Sequence, residues 1–331
     1  MKYVYVLTSY GEDFYAEQAA ISIYTLRKFH PESEVVLITE KETLTYLKEK
    51  KSCLASMADK IIAPEMPEEL SRFQKSRFLK TSIRQLVEGD FIFLDTDTLI
   101  LDSLTELECL PYDMAVALQQ DGPDWSIDNP HFHMKKYNVA RGIDPDTQYG
   151  IKNFFNSGIM LCRDTQAVRD LFKMWHERWY ESSTVYGYHA DQCDLWISDV
   201  AAGHIIKELD GRYNCMAICP DISLRYFSDC KIFHYFSNSR KWKYLKVKSP
   251  EFLLRFRENG FTNEIDDMVD NIRVEYLKGL NIIEKGAEKQ KGKKNLLPKE
   301  DDKILVIIAK KINKRFPVID KALTKLYKLI F

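Results

Sequence analysis

The segment Phe91 to Ile100, FIFLDTDTLI, carries an apolar run into two aspartates one residue apart. Side chains two apart in an extended chain point the same way, so Asp95 and Asp97 can share one oxygen-loving cation such as Mg²⁺ or Mn²⁺. A cation held at a strand end suits a diphosphate. The plainer use of the same letters is structural, because aspartates at a strand-to-loop junction also cap turns.

For the metal reading to hold, the apolar run must be a buried strand whose carboxyl end opens on a crevice. Apolar spacing predicts strands at 3–8, 35–39 and 60–63 and helices at 13–29, 42–50 and 70–87 ahead of it. This β-α-β-α-β-α-β alternation predicts a mainly parallel α/β sheet with ligands beyond the carboxyl ends of its strands. Thr8, Ser9 and Tyr10, just past the first strand, then face the same crevice as Asp95 and Asp97. Neither GxGxxG nor GxxxxGK[ST] occurs, so the usual dinucleotide fingerprint and the P-loop are both missing.

Further on, residues 114–118 read as a strand and 119–152 as a long irregular stretch, an acceptor-side wall or lid. Residues 153–162 read as a turn into a strand and 164–179 as a helix whose aromatic stripe belongs to the core. A short helix is predicted at 191–200 and a strand at 231–236, with His234 near its end. Beyond Pro250 the pattern turns helical, at 251–258 and 264–280.

A chain of 331 residues with 45% apolar content can bury a full core. Its net charge of -1 hides an acidic body and a basic tail: residues 1–284 hold 34 Lys+Arg against 44 Asp+Glu, and residues 285–331 hold 14 against 5. An acidic body is a poor partner for nucleic acid. The seven cysteines are odd in number and lack a CxxC pair, as expected of reduced core thiols. The N-terminus enters strand-like alternation without a signal-peptide pattern, and no stretch reaches about 18 consecutive apolar residues. These features predict a cytoplasmic protein. In the tail, Lys321, Lys325 and Lys328 share one helical face opposite Ile319, Leu323, Leu326 and Ile330. That pattern fits a helix lying on an anionic membrane, at the inner face of the cell membrane, and equally a helix docked on the body.

Taken in order, LTS at 7–9, Lys80 ahead of the aspartates, FLDTDT, FNSGIML at 155–161, ADQ at 190–192 and HYFSNSRKW at 234–242 resemble glycosyltransferase family 8. The resemblance covers about residues 1–245. It implies a GT-A (Rossmann-like) fold, a UDP-sugar donor and transfer of a hexose, glucose or galactose, with retention to a glycan or lipid-linked saccharide. It also implies a Mn²⁺ or Mg²⁺ ion on Asp95, Asp97 and His234, the nitrogen ligand favouring Mn²⁺. Thr8 and Tyr15 map to base or ribose contacts, and Lys80 to a donor contact. Asn156 and Ser157 map to the turn beneath the donor sugar, where Gly158 permits close backbone approach. Asp191 and Gln192 map to the reactive face of the sugar, where they stabilise an oxocarbenium-like transition state or act covalently.

Each of these residues has a bland use as well: Tyr15 and His234 as packing, Lys80 as a solvated helix residue, Asn156 and Ser157 as turn formers, Asp191 as a helix cap. The last motif also departs from the family's HxxGxxKPW. Ser237 replaces Gly, Arg240 replaces Lys and can still hold a phosphate, and Lys241 stands at the Pro position.

The predicted organisation is a GT-A domain over 1–245, a helical extension over 246–284, a Lys- and Gly-rich linker over 285–300 and a basic amphipathic segment over 301–331. Two other readings fit some of the letters. Apolar-DxDxT also opens the site of haloacid-dehalogenase-like phosphatases, but no later acidic pair follows a strand here. A non-catalytic protein that binds nucleotide sugar or glycan is the other.

Overall fold

The computed structural model describes residues 1–50, 52–119, 131–150, 153–217, 226–236 and 244–291, with backbone alone at 131, 132 and 279–291. Arg240, Cys219, residues 292–300 and the basic segment 301–331 lie outside the described residues.

The strands are β1 (Lys2–Leu7), β2 (Glu34–Thr39), β3 (Lys60–Ile62), β4 (Phe91–Leu94), β5 (Thr98–Ile100), β6 (Met114–Leu118), β7 (Phe155–Cys162), β8 (Ile206–Leu209), β9 (Cys215–Met216) and β10 (Ile232–His234). Between them run α1 (Tyr15–Phe29), α2 (Lys41–Glu49), α3 (Cys53–Met57), α4 (Arg72–Thr81), α5 (Ile83–Leu86), α6 (Thr105–Glu108), α7 (His131–Ala140), α8 (Gln166–Thr184) and α9 (Gln192–Ala201). Helices Pro250–Asn259 and Asn263–Lys291 follow.

Seven strands form one sheet in the order β3-β2-β1-β4-β7-β6-β8. The first four are mutually parallel, as the alternation predicts. The β7 strand runs antiparallel to both neighbours, so its middle residues, not its last, lie beside the end of β4. A second, three-stranded sheet, β5-β10-β9, sits just after the aspartates. The β4 residues are buried throughout, and Trp175 and Trp179 of α8 are buried in full. The aromatic stripe of that helix is core.

Several elements differ from the sequence reading. The helix expected over 70–87 breaks at Ser82, because the Thr81 and Ser82 hydroxyls bond back to the carbonyls of Arg77 and Phe78 and compete with helix continuation. The stretch expected to be irregular contains α7, which buries Met134 and Tyr137 against the core. β5 and β9 are too short to show any period. The last helix runs on to Lys291, into residues whose Ala, Glu, Gln and Lys favour helix. Of the cysteines, Cys162, Cys193, Cys215 and Cys230 are buried thiols, but Cys109 is exposed.

Residues 1–279 form one compact unit and 280–331 a second. Within the first, Arg257 of Pro250–Asn259 pairs with Glu17 of α1 at 2.7 Å and donates to the Gly11 carbonyl at 3.0 Å. No helix among the described residues is long and apolar enough to cross a membrane.

Candidate metal and donor site

Asp95 leaves β4 with its N–H donating to the Gly158 carbonyl at 2.8 Å, so the strand end and the middle of β7 are tied together. Asp97 follows in the turn, and its carbonyl accepts from Tyr235 N–H at 3.1 Å. His234 is paired in β10 opposite Thr98 of β5. The ligand atoms of Asp95, Asp97 and His234 lie within 4.8 Å of one another, and His234 Nε2 stands 3.2 Å from Asp97 Oδ1.

Two carboxylates and an imidazole are a fitting donor set for a divalent cation of the Mn²⁺ class. The backbone makes room for it. A Cβ on Gly158 would lie 2.5 Å from His234 Cε1, 2.8 Å from Asn156 Oδ1 and 3.0 Å from Asp95 Oδ2, so only glycine lets the three approach. The residues present therefore fit the ion that the family resemblance implies.

Charge surrounds the aspartate side. Lys80, buried in α4, places Nζ 3.2 Å from Asp95 Oδ1 and 4.9 Å from the centre of the Phe93 ring. Its use as a solvated helix residue is thereby excluded. Burial raises the Asp95 pKa, an effect that Lys80 opposes and Asp97 adds to.

One helical turn before Lys80, Arg77 Nε pairs with Asp191 Oδ1 at 3.0 Å, and Ser157 Oγ donates to Asp191 Oδ2 at 2.9 Å. Burial works against ionisation of Asp191, but Lys80, Arg77 and the Ser157 hydroxyl outweigh it and hold the pKa below the usual carboxylate value. Asp191 occupies the N-cap position of α9 without making a capping hydrogen bond. Its carboxylate faces the crevice cations instead of the helix end.

Behind this layer runs a line of amides. Gln192 Nε2 donates to Gln119 Oε1 at 2.9 Å and to the Phe155 carbonyl at 3.0 Å. Asn156 Nδ2 donates to the same Gln119 oxygen at 2.8 Å, while Asn156 Oδ1 accepts from Gly158 N–H and Asn214 Nδ2, each at 3.0 Å. Asn156 is thus turned into the protein as a scaffold residue. Trp175 Nε1 donates to the Asp191 carbonyl at 2.8 Å, which couples the core stripe of α8 to the start of α9.

Thr8 directly follows β1, and Tyr15 opens α1. The Thr8 carbonyl accepts from Arg72 at 3.3 Å, and the Arg72 guanidinium packs 4.6 Å from the Tyr10 ring and 5.9 Å from the Tyr15 ring while pairing with Asp13. Sequence reasoning missed Arg72, Arg77, Gln119 and Asn214. Arg77 stands three residues before Lys80, on the same helix face, and that spacing was a usable signal; the other three carry none.

No protein-family model matches the chain, and no curated protein matches it. Among solved structures it is similar to the galactosyltransferase LgtC in complex with donor and acceptor sugar analogs, at 14% identity and TM-score 0.46, covering 81% of this chain and 100% of that one. Mouse xyloside xylosyltransferase 1 is similar at 15% identity and TM-score 0.45, over 72% of this chain and 98% of that one. The glycosyltransferase GlyE of Streptococcus pneumoniae TIGR4 is similar at 15% identity and TM-score 0.49, over 82% of this chain and 62% of that one.

Proposed function

We propose that the protein is a glycosyltransferase of the GT-A kind, passing a hexose from a UDP-sugar to a saccharide or glycolipid acceptor with retention at the anomeric carbon. The observation that carries this reading is the meeting of Asp95, Asp97 and His234 within 4.8 Å at the crevice that also holds Lys80 and Asp191. A divalent cation on those three ligands would neutralise the leaving diphosphate.

The chain's own residues account for the rest. Lys80 brings a second positive charge to the diphosphate side. Asp191, held ionised by Arg77 and Lys80, faces positive charge that develops on the sugar. Gln192 uses its amide nitrogen on Gln119 and Phe155, which leaves Oε1 to face the donor. Thr8 and Tyr15, beside Arg72, receive the base and ribose, and Ser157 reaches the sugar through Asp191. Arg240 would add a phosphate contact, and the basic segment 301–331 would rest on an anionic membrane face.

Calorimetric titration with UDP, with and without Mn²⁺, tests the reading on the native protein and on Asp95→Ala and Asp97→Ala. We expect UDP to bind only with Mn²⁺, and each variant to lose about 100-fold or more in affinity, exceeding the loss usual for residues one step behind a metal ligand. Metal-independent UDP binding that both variants retain would sink the assignment.

A further inference from the structure

We infer that Asn214, in the 3-10 turn Gly211–Asn214 just before β9, is a positioning residue that holds His234 with its proton on Nδ1 and presents Nε2 to the cation. The inference rests on the metal reading proposed above. Asn214 and His234 are buried and 3.0 Å apart, Asn214 Oδ1 to His234 Nδ1.

Amide and imidazole orientations are fixed by their partners, and two backbone groups fix these. A backbone N–H can only donate, so Gly158 makes its contact on Asn156 the oxygen. Asn214 must then offer nitrogen to that same oxygen, which leaves its own oxygen turned to His234. Nδ1 must carry the proton. A backbone carbonyl can only accept, so Phe155 makes its contact on Gln192 the nitrogen, and Gln119 between them offers oxygen to both Gln192 and Asn156. The two anchors, reached from opposite ends, agree on every amide.

The consequence falls on the other ring nitrogen. A neutral imidazole protonated at Nδ1 has its lone pair on Nε2, and that atom faces Asp97 Oδ1 at 3.2 Å. Lone pair against carboxylate oxygen is an arrangement that positive charge between them satisfies, a metal cation as well as a proton. The ring cannot swing to relieve it: Phe236 stacks on it at 3.9 Å and 10°, and Gly158 lies against its Cε1 edge. None of the motifs that carry the family resemblance includes Asn214.

The test uses the full-length protein with ¹⁵N-labelled histidine. Ring ¹⁵N and ¹H shifts at about pH 8, where an unperturbed imidazole is neutral, report the tautomer of each ring, and His234→Gln assigns the signal. Mn²⁺ affinity without nucleotide is measured alongside by calorimetry. We expect Nδ1–H at His234 in the native protein, loss of that tautomer in Asn214→Ala, and a fall of about 10–100-fold in Mn²⁺ affinity. Asn214→Asp gives up the N–H donated to Asn156 but keeps the oxygen that accepts from His234 and should keep the proton on Nδ1, which decides the matter if Asn214→Ala does not fold.

An Nε2–H tautomer in the native protein overturns the inference. So does a folded Asn214→Ala with unchanged tautomer and affinity, or loss of the tautomer in Asn214→Asp. Native protein that binds no Mn²⁺ brings down the metal reading instead, and the tautomer still decides what Asn214 does.

Discussion

Asp95 and Asp97 come from a single strand end and sit among charges, whereas His234 comes from a three-residue strand and, apart from the Asp97 carboxylate it faces, sits among neutral amides and rings. The aspartate side is held by Lys80, and beyond it by Arg77 with Asp191, through attraction that weakens only gradually with distance. The histidine side is held by one hydrogen bond, one stacked ring and one missing Cβ, all of which fail over a few tenths of an ångström. Charge gathers the ligands, and shape aims them. If so, small steric changes should damage the site on the histidine side more than their size suggests.

Gly158→Ala is the severest way to test that difference. Its new Cβ meets His234, Asn156 and Asp95 at 3.0 Å or less. Overpacking of this kind costs about 1–3 kcal/mol, and the ring must move off the cation to relieve it. We expect a lowered melting temperature and loss of about 100-fold or more in Mn²⁺ affinity, as for removal of a ligand. A variant that melts lower yet binds Mn²⁺ normally would mean that the histidine side is as forgiving as the aspartate side.

The asymmetry also explains what was legible. The parallel half of the sheet and the aspartates could be read because each strand carries its own apolar signal, and the Asp95-Thr96-Asp97 spacing is local. His234 reached the site only through its place in an ordered set of motifs. Its strand is three residues long, and β5 and β9, which hold it, are too short to show a period. Asn214 and Gln119 were invisible, because their worth lies in which atom faces which neighbour after folding. The antiparallel turn of β7 was hidden for a related reason: a fully buried strand looks the same in either direction.

A second comparison sharpens the role of charge. Asp191 and Asp194 lie one helical turn apart and are both buried, yet Asp191 is held ionised by Lys80 and Arg77. Asp194 accepts from the Tyr137 and Ser182 hydroxyls on Oδ1, its Oδ2 has no hydrogen-bond partner among the described residues, and burial pushes its pKa up to about 7. In the unfolded chain this carboxyl ionises near its ordinary value of 3.8, while the folded protein keeps the proton until about 7. The native state therefore binds the extra proton in that window, and stability falls as pH rises through it. Below the window Asp194 costs nothing, and above it the full penalty stands. Asp194→Asn should remove this slope and stabilise the protein by about 2–4 kcal/mol above the window, with no gain at its acid end. Urea midpoints across the range measure it; a gain that does not vary with pH would mean that the carboxyl is not the source.

The smallest effect is expected at Phe236, where two contributions oppose each other. Phe236 holds a left-handed backbone, φ 50°, with its carbonyl accepting from Lys248 at 2.7 Å, although the resembling pattern has glycine one residue later, at the position of Ser237. That conformation costs a non-glycine residue about 1–2 kcal/mol, while stacking on His234 returns about 0.5–1.5 kcal/mol. Phe236→Gly relieves the first and forfeits the second, so the melting temperature should move by no more than about 3 °C. The ring of His234 then keeps its Asn214 hydrogen bond but loses its lateral support, and Mn²⁺ affinity should fall only about 3–10-fold, less than for Asn214→Ala. A loss as large as that of Gly158→Ala would make the stacked ring, rather than the hydrogen bond, the part that aims His234. No loss at all would leave the aiming to Asn214 and Gly158, and the strained backbone at Phe236 would then have no role in holding the cation.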